Sequence, residues 1–113
     1  MGLGGLLLGA ATMGLRAAAQ PEEQVIKILA RRFTYTPNKL SLKKGVPVVL
    51  ELTTADVLMG FSAPDFDVRA DIVPGQVARV RLVPDKVGTF TFLCDVFCGS
   101  GHETMNGTIT VVA

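Results

Sequence analysis

With 113 residues and a formal charge of +1, the chain makes one small domain, since domains commonly run to about 100–150 residues. Its composition, 49% hydrophobic and 19% charged, is too apolar for a disordered chain. Eleven Lys and Arg against ten Asp and Glu leave neither a basic excess to grip nucleic-acid phosphates nor a field to gather acidic substrates.

Two cysteines cannot build a disulfide-rich scaffold, so the fold rests mainly on its core. Twelve glycines and six prolines beside one Tyr and no Trp point to a turn-rich β chain.

Residues 1–19 read as a leader and residues 20–113 as the folded domain. From Leu3 to Leu15 the chain is uncharged and made of Leu, Gly, Ala, Thr and Met, short of the ~20 apolar residues a membrane span needs. Ala17-Ala18-Ala19 before Gln20-Pro21 matches the small-residue pattern of a signal-peptidase site. No Lys or Arg precedes the apolar run, which leaves open a start further upstream or a leader kept as a weak anchor. A buried, glycine-rich N-terminal helix is the competing reading, and Gly suits helix interiors poorly. The leader is expected to be disordered or helical, and the protein to be exported to the periplasm.

From Val25 onward the apolar period is two. Strands are predicted over 25–30, around Phe33, Tyr35 and Leu40 with a turn at Pro37-Asn38, and over 46–52 after a turn at Lys43-Lys44-Gly45. Pro47 suggests that this last strand begins at a sheet edge. Further strands are predicted over 68–73, 77–83, 89–93 and 108–112. Val77, Val80 and Val83 cannot share one face under strict alternation, so a bulge or two-sided burial is expected there. About seven short strands between turn signals, with no helical period after Gln20, predict an all-β, two-sheet sandwich.

The only histidine, both cysteines and one of the four methionines fall between Cys94 and Met105. Two thiolates, an imidazole and a thioether form a soft donor set that suits copper, Cu(I) above all. Zinc takes Cys and His but gains little from Met, and magnesium and calcium want oxygen ligands. Gly99 and Gly101 are expected to let the backbone fold tightly around an ion, and Phe97 to keep water from it. Predicted strands flank the loop, so a sheet is expected to hold both its ends.

The spacing Cys94-x3-Cys98-x3-His102-x2-Met105 resembles the ligand loop of the binuclear copper A site in cytochrome c oxidase subunit II and nitrous-oxide reductase. Residues 93–102 look like the oxidase version. The resemblance extends to Phe33-Thr34-Tyr35-Thr36-Pro37, Leu52-Thr53-Thr54-Ala55-Asp56-Val57, Ala63-Pro64 and Ile72-Val73-Pro74-Gly75, and covers residues 24–112. It implies a cupredoxin-like Greek-key β-sandwich with copper, one or two ions, at one end. It also implies that Cys94 and Cys98 are bridging thiolates, His102 an imidazole ligand, Met105 a weak thioether ligand and the Val96 carbonyl the remaining donor. The family's transmembrane helices have no counterpart here. A free-standing periplasmic relative is therefore expected, with no integral membrane domain after leader removal.

One position departs from the family. Where a second His ligand would follow Asp-Val-x, this chain has Asp56-Val57-Leu58-Met59. With one His in the sequence, an ordinary two-histidine copper A centre is excluded by counting. Met59 is then a thioether ligand in place of imidazole, a non-ligand beside an open or mononuclear centre, or core packing, the usual work of a buried Met. Asp56 either orients a neighbouring loop by hydrogen bonding or sits in a turn. Asp65, Asp67 and Asp71 form an acidic docking patch or a solvated loop.

One-electron transfer with a cytochrome or oxidase as redox partner is the first functional expectation. A rigid sandwich lets Cu(I) and Cu(II) share nearly one geometry. No nucleophile–base pair or water-activating site is legible, so no enzyme activity is expected. The second expectation is a Cu(I) carrier or chaperone serving a copper-receiving protein, favoured by a thioether at position 59. A thiol–disulfide redox protein using Cys94 and Cys98, or a structural domain stapled by them, completes the alternatives.

Overall fold

The structure, a computed structural model, describes residues 23–97 and 99–113, and of His102 the backbone alone. The expected leader and the expected ligand Cys98 lie outside that description.

Nine strands form among the described residues. In the first sheet, β1 (Gln24–Arg31), β2 (Thr34–Thr36), β4 (Val48–Thr54) and β7 (Ala78–Leu82) run in the order β2-β1-β4-β7. In the second, β3 (Lys39–Lys43), β5 (Met59–Ala63), β6 (Val68–Ile72), β8 (Gly88–Leu93) and β9 (Asn106–Val112) run in the order β3-β9-β8-β5-β6. Strand pairs are antiparallel except β1 with β4 and β3 with β9, which are parallel. The result is the expected Greek-key β-sandwich. Among the described residues there is no α-helix, only 3-10 turns at Pro64–Phe66 and His102–Thr104, and no helix long and apolar enough to cross a membrane.

Period-two patterning decides which faces meet. Val48, Leu50 and Leu52 of β4 are buried, while the residues between them are partly exposed. In β9, Ile109 and Val111 point inward and Thr110 outward. Between the sheets Tyr35, Phe61 and Phe92 pack as a ring cluster, with Tyr35 edge-on to Phe92 at a centroid distance of 5.0 Å and Phe61 5.1 Å from Phe92. Full burial of a side chain such as Phe61 contributes about 1.5–3 kcal/mol.

Three expectations are corrected. Pro47 does not mark an edge: β4 lies between β1 and β7. The proline precedes the strand, where its carbonyl accepts from Gln24 N–H at 3.0 Å and its missing N–H leaves no gap in the ladder. No bulge is needed in β7, because Val77 and Val83 fall outside the strand and are exposed, leaving Val80 and Leu82 to face the core. The strand count rises because the segment around Phe33, Tyr35 and Leu40 forms two strands, β2 and β3, and because β5 was not foreseen. Its outward positions carry Gly60 and Ser62, which weaken the strand signal.

Candidate metal centre

Strands β8 and β9 hold the two ends of the loop over residues 94–105. Their register closes on Leu93 opposite Asn106, and the Cys94 N–H donates to the Met105 carbonyl at 3.2 Å. Further along, the 3-10 turn brings the chain back to its base. Both the backbone N–H and the hydroxyl of Thr104 donate to the Gly101 carbonyl, at 3.1 and 2.8 Å. Cys94 and Met105 are thereby held opposite each other just beyond the ends of β8 and β9, 4% and 1% exposed.

The Cys94 sulfur is tightly engaged. It receives the Gly60 N–H at 3.5 Å, and its thiol donates to the Val96 carbonyl at 3.1 Å. Gly60 is held in turn from the core, where the Tyr35 hydroxyl donates to its carbonyl at 2.7 Å. Met59, the residue before Gly60, is fully buried and shares the inward face of β5 with Phe61 and Ala63. The structure thus brings together Cys94, Val96 and Met105, and sets Met59 one residue from the sulfur's N–H donor. Cys98 and the His102 side chain lie outside the description. Among the described residues no three His, Cys, Asp or Glu side chains gather around one point. The described candidate donors are a thiol and two buried thioethers, whose soft sulfurs fit copper, and a harder carbonyl oxygen.

Phe97 is 75% exposed. Phe33, in the β1–β2 turn, covers the loop at Gly99 and Gly101. Its ring atoms come within 3.3 Å of where a Cβ would stand on Gly99, and within 3.2 Å on Gly101. Both glycines have positive φ, 136° and 106°, so they admit a ring and a backbone that other residues resist. Their spacing in sequence signalled flexibility but not the ring they accommodate.

Asp56 orients a neighbouring loop, as one of its readings held: its carboxylate accepts the Arg32 N–H at 2.8 Å. Thr54 braces the same turn, its hydroxyl donating to the Val57 carbonyl at 2.8 Å and accepting from Asp56 N–H at 3.2 Å. Asp65, Asp67 and Asp71 are exposed, and Asp71 is paired with Arg69 at 2.8 Å. The Arg69 guanidinium also meets Asp95. Its hydrogen bonds to Asp95, then to Asp71, push its pKa above the usual Arg value, so it stays charged at any working pH.

The profile of the cupredoxin-like domain family matches residues 5–111, and the chain belongs to that family. It is 33% identical over 91 residues to cytochrome c oxidase subunit 2 of Thermus thermophilus, covering 80% of this chain and 67% of that one. It spans smaller shares of other subunit 2 relatives, 54% of one and 27% of another. The fold superposes with a TM-score of 0.74 on the periplasmic domain of subunit II of cytochrome oxidase of Bradyrhizobium japonicum, at 23% identity, over 81% of this chain and 86% of that one. It also superposes on a copper binding protein solved in its apo form, with a TM-score of 0.65 and 29% identity over 82% and 91% of the two chains.

Proposed function

We propose that this chain binds copper in the loop between β8 and β9 and carries single electrons between redox proteins. Cys94, Cys98, His102, Met105, the Val96 carbonyl and Met59 would hold one or two copper ions. Bound copper supplies the Cu(I)/Cu(II) couple. The observation that best supports this reading is the Cys94 sulfur, buried and 3.1 Å from the Val96 carbonyl oxygen. When the thiol proton is lost to metal binding, sulfur and carbonyl become neighbouring donors. The Gly60 N–H, already directed at the sulfur, then shares the thiolate's charge.

The β8–β9 pairing and the Phe33 ring limit how far the loop can move, which keeps reorganisation small when an electron arrives. We assign the chain no catalytic step of its own. Its partner is a cytochrome or an oxidase, and residues 1–19, read as a leader, would direct it to the periplasm.

A second reading, a Cu(I) carrier serving a copper-receiving protein, is favoured by Met59, a buried thioether at the position that resembles the family's second histidine ligand. Soft sulfur at that position favours Cu(I).

Copper titration of the reduced protein, followed by optical and EPR spectra, separates the readings. Electron transfer predicts an intensely coloured oxidised form that is re-reduced without losing metal. Two coppers sharing an unpaired electron define a binuclear centre, one copper a mononuclear centre. Tight Cu(I) binding with no stable oxidised form assigns the carrier. Failure to retain copper, with thiols that cycle with reductant, overturns both and leaves thiol–disulfide exchange.

A further inference from the structure

We infer that Arg69 is a positioning residue for the copper loop, acting through Asp95. The inference rests on the copper-binding reading for its purpose, but the contact stands on the structure alone. Asp95 lies between Cys94 and Val96, the two residues whose sulfur and carbonyl oxygen face each other. Past Leu93, where β8 ends, this arch has left the sheet, and little backbone pairing ties it to β5.

Side-chain contact replaces that pairing. Arg69 Nε meets one Asp95 oxygen at 2.6 Å and Nη2 the other at 2.8 Å, while Nη2 also holds Asp71 at 2.8 Å. The two-point fork fixes both distance and orientation, as a single ammonium contact cannot.

Strand register explains why Arg69 reaches this far. Arg69 stands opposite Ser62, and Asp71 opposite Gly60, so all four lie on the outer face of the sheet. Asp95 crosses this face above Gly60. A Cβ on Gly60 would stand 2.0 Å from Asp95 Oδ1 and 3.0 Å from Val96 Cγ2. The carboxylate therefore occupies the space that the glycine leaves, and Gly60 is buried for that reason despite facing outward. Isolated surface ion pairs contribute little, but bidentate pairs within a network are the exception. Here the pair sits between two proposed donors and beside the residue whose N–H meets the Cys94 sulfur.

The test uses Arg69→Gln, Arg69→Lys and Asp95→Asn in the full chain. In the metal-free protein, amide hydrogen exchange at residues 94–97 and at Gly60 is expected to accelerate in Arg69→Gln and Asp95→Asn. Exchange in β1 and β4 is expected to hold, which separates loop positioning from general destabilisation. Cu(I) affinity, measured by competition with a colorimetric chelator, is expected to fall about tenfold, the scale of residues that orient ligands. Arg69→Lys should recover part of the loss.

Wild-type exchange and wild-type Cu(I) affinity in Arg69→Gln would overturn the inference. Equal acceleration across the whole sandwich would also overturn it. If the wild-type protein binds no copper, the functional reading falls, and the exchange data from the metal-free chain still decide whether Arg69 orders the loop.

Discussion

The Phe33 ring rests on Gly101: its Cδ2 atom is 3.2 Å from the point where a Cβ would stand on that glycine. A residue from the β1–β2 turn is thereby seated on the loop that carries the proposed ligands, although they are far apart in sequence. A methyl group at that distance would be tight and would make the ring give by a few tenths of an ångström, and φ at Gly101 is 106°, in the region other residues avoid.

Gly101→Ala is therefore expected to lose about 1–3 kcal/mol of stability from backbone strain, with added loss from the ring contact. In a Phe33→Ala background the same substitution should cost less, since the steric part is gone and the two sites are coupled. Urea denaturation of the two single variants and the double variant measures this. Strict additivity would mean that ring and glycine do not share the contact.

Gly60→Ala places a methyl group 2.0 Å from Asp95 Oδ1. The carboxylate must move off Arg69 or the arch must lift. Overpacking of this kind costs about 1–3 kcal/mol, and Cu(I) affinity should fall with it. Thermal denaturation and chelator competition read the two effects, and an unchanged melting temperature would show the space over Gly60 to be larger than described.

Tyr35→Phe keeps the ring packing against Phe61 and Phe92 and deletes the hydroxyl that donates to the Gly60 carbonyl at 2.7 Å. Leaving a buried acceptor without that donor costs about 1–3 kcal/mol. The loss should appear in urea denaturation, together with faster amide exchange at the Met59–Gly60 segment. Equal stability would show that the Gly60 carbonyl finds another donor.

Met59→Leu conserves volume, so stability should change by less than about 1.5 kcal/mol. Cu(I) affinity should nevertheless fall by about tenfold or more, a loss that even residues outside the immediate ligand set can cause. Met59→His should shift the optical spectrum and the potential toward Cu(II). Unchanged spectra and potential in Met59→His would exclude direct ligation and return Met59 to core packing.

Much of this protein was legible in sequence because the relevant information is local. Alternation of Thr with Phe in β8, and of Thr with Ile and Val in β9, is enough to orient those side chains, since successive residues of a strand face opposite ways. The clustering of Cys94, Cys98, His102 and Met105 is likewise a local pattern, and the donor chemistry follows from residue type. The short strand β5 was missed because Gly60 and Ser62 weaken its signal.

Residue order along the chain therefore determined the β class, the core faces and the sulfur-rich loop. Only the tertiary structure decided that Arg69 reaches Asp95, 26 residues away, that Gly60 makes room for that carboxylate, and that Phe33 covers Gly99 and Gly101. These contacts join segments brought together by sheet order and by the side on which the arch folds. Both depend on how the whole chain packs, and no periodicity within a single strand or loop encodes them.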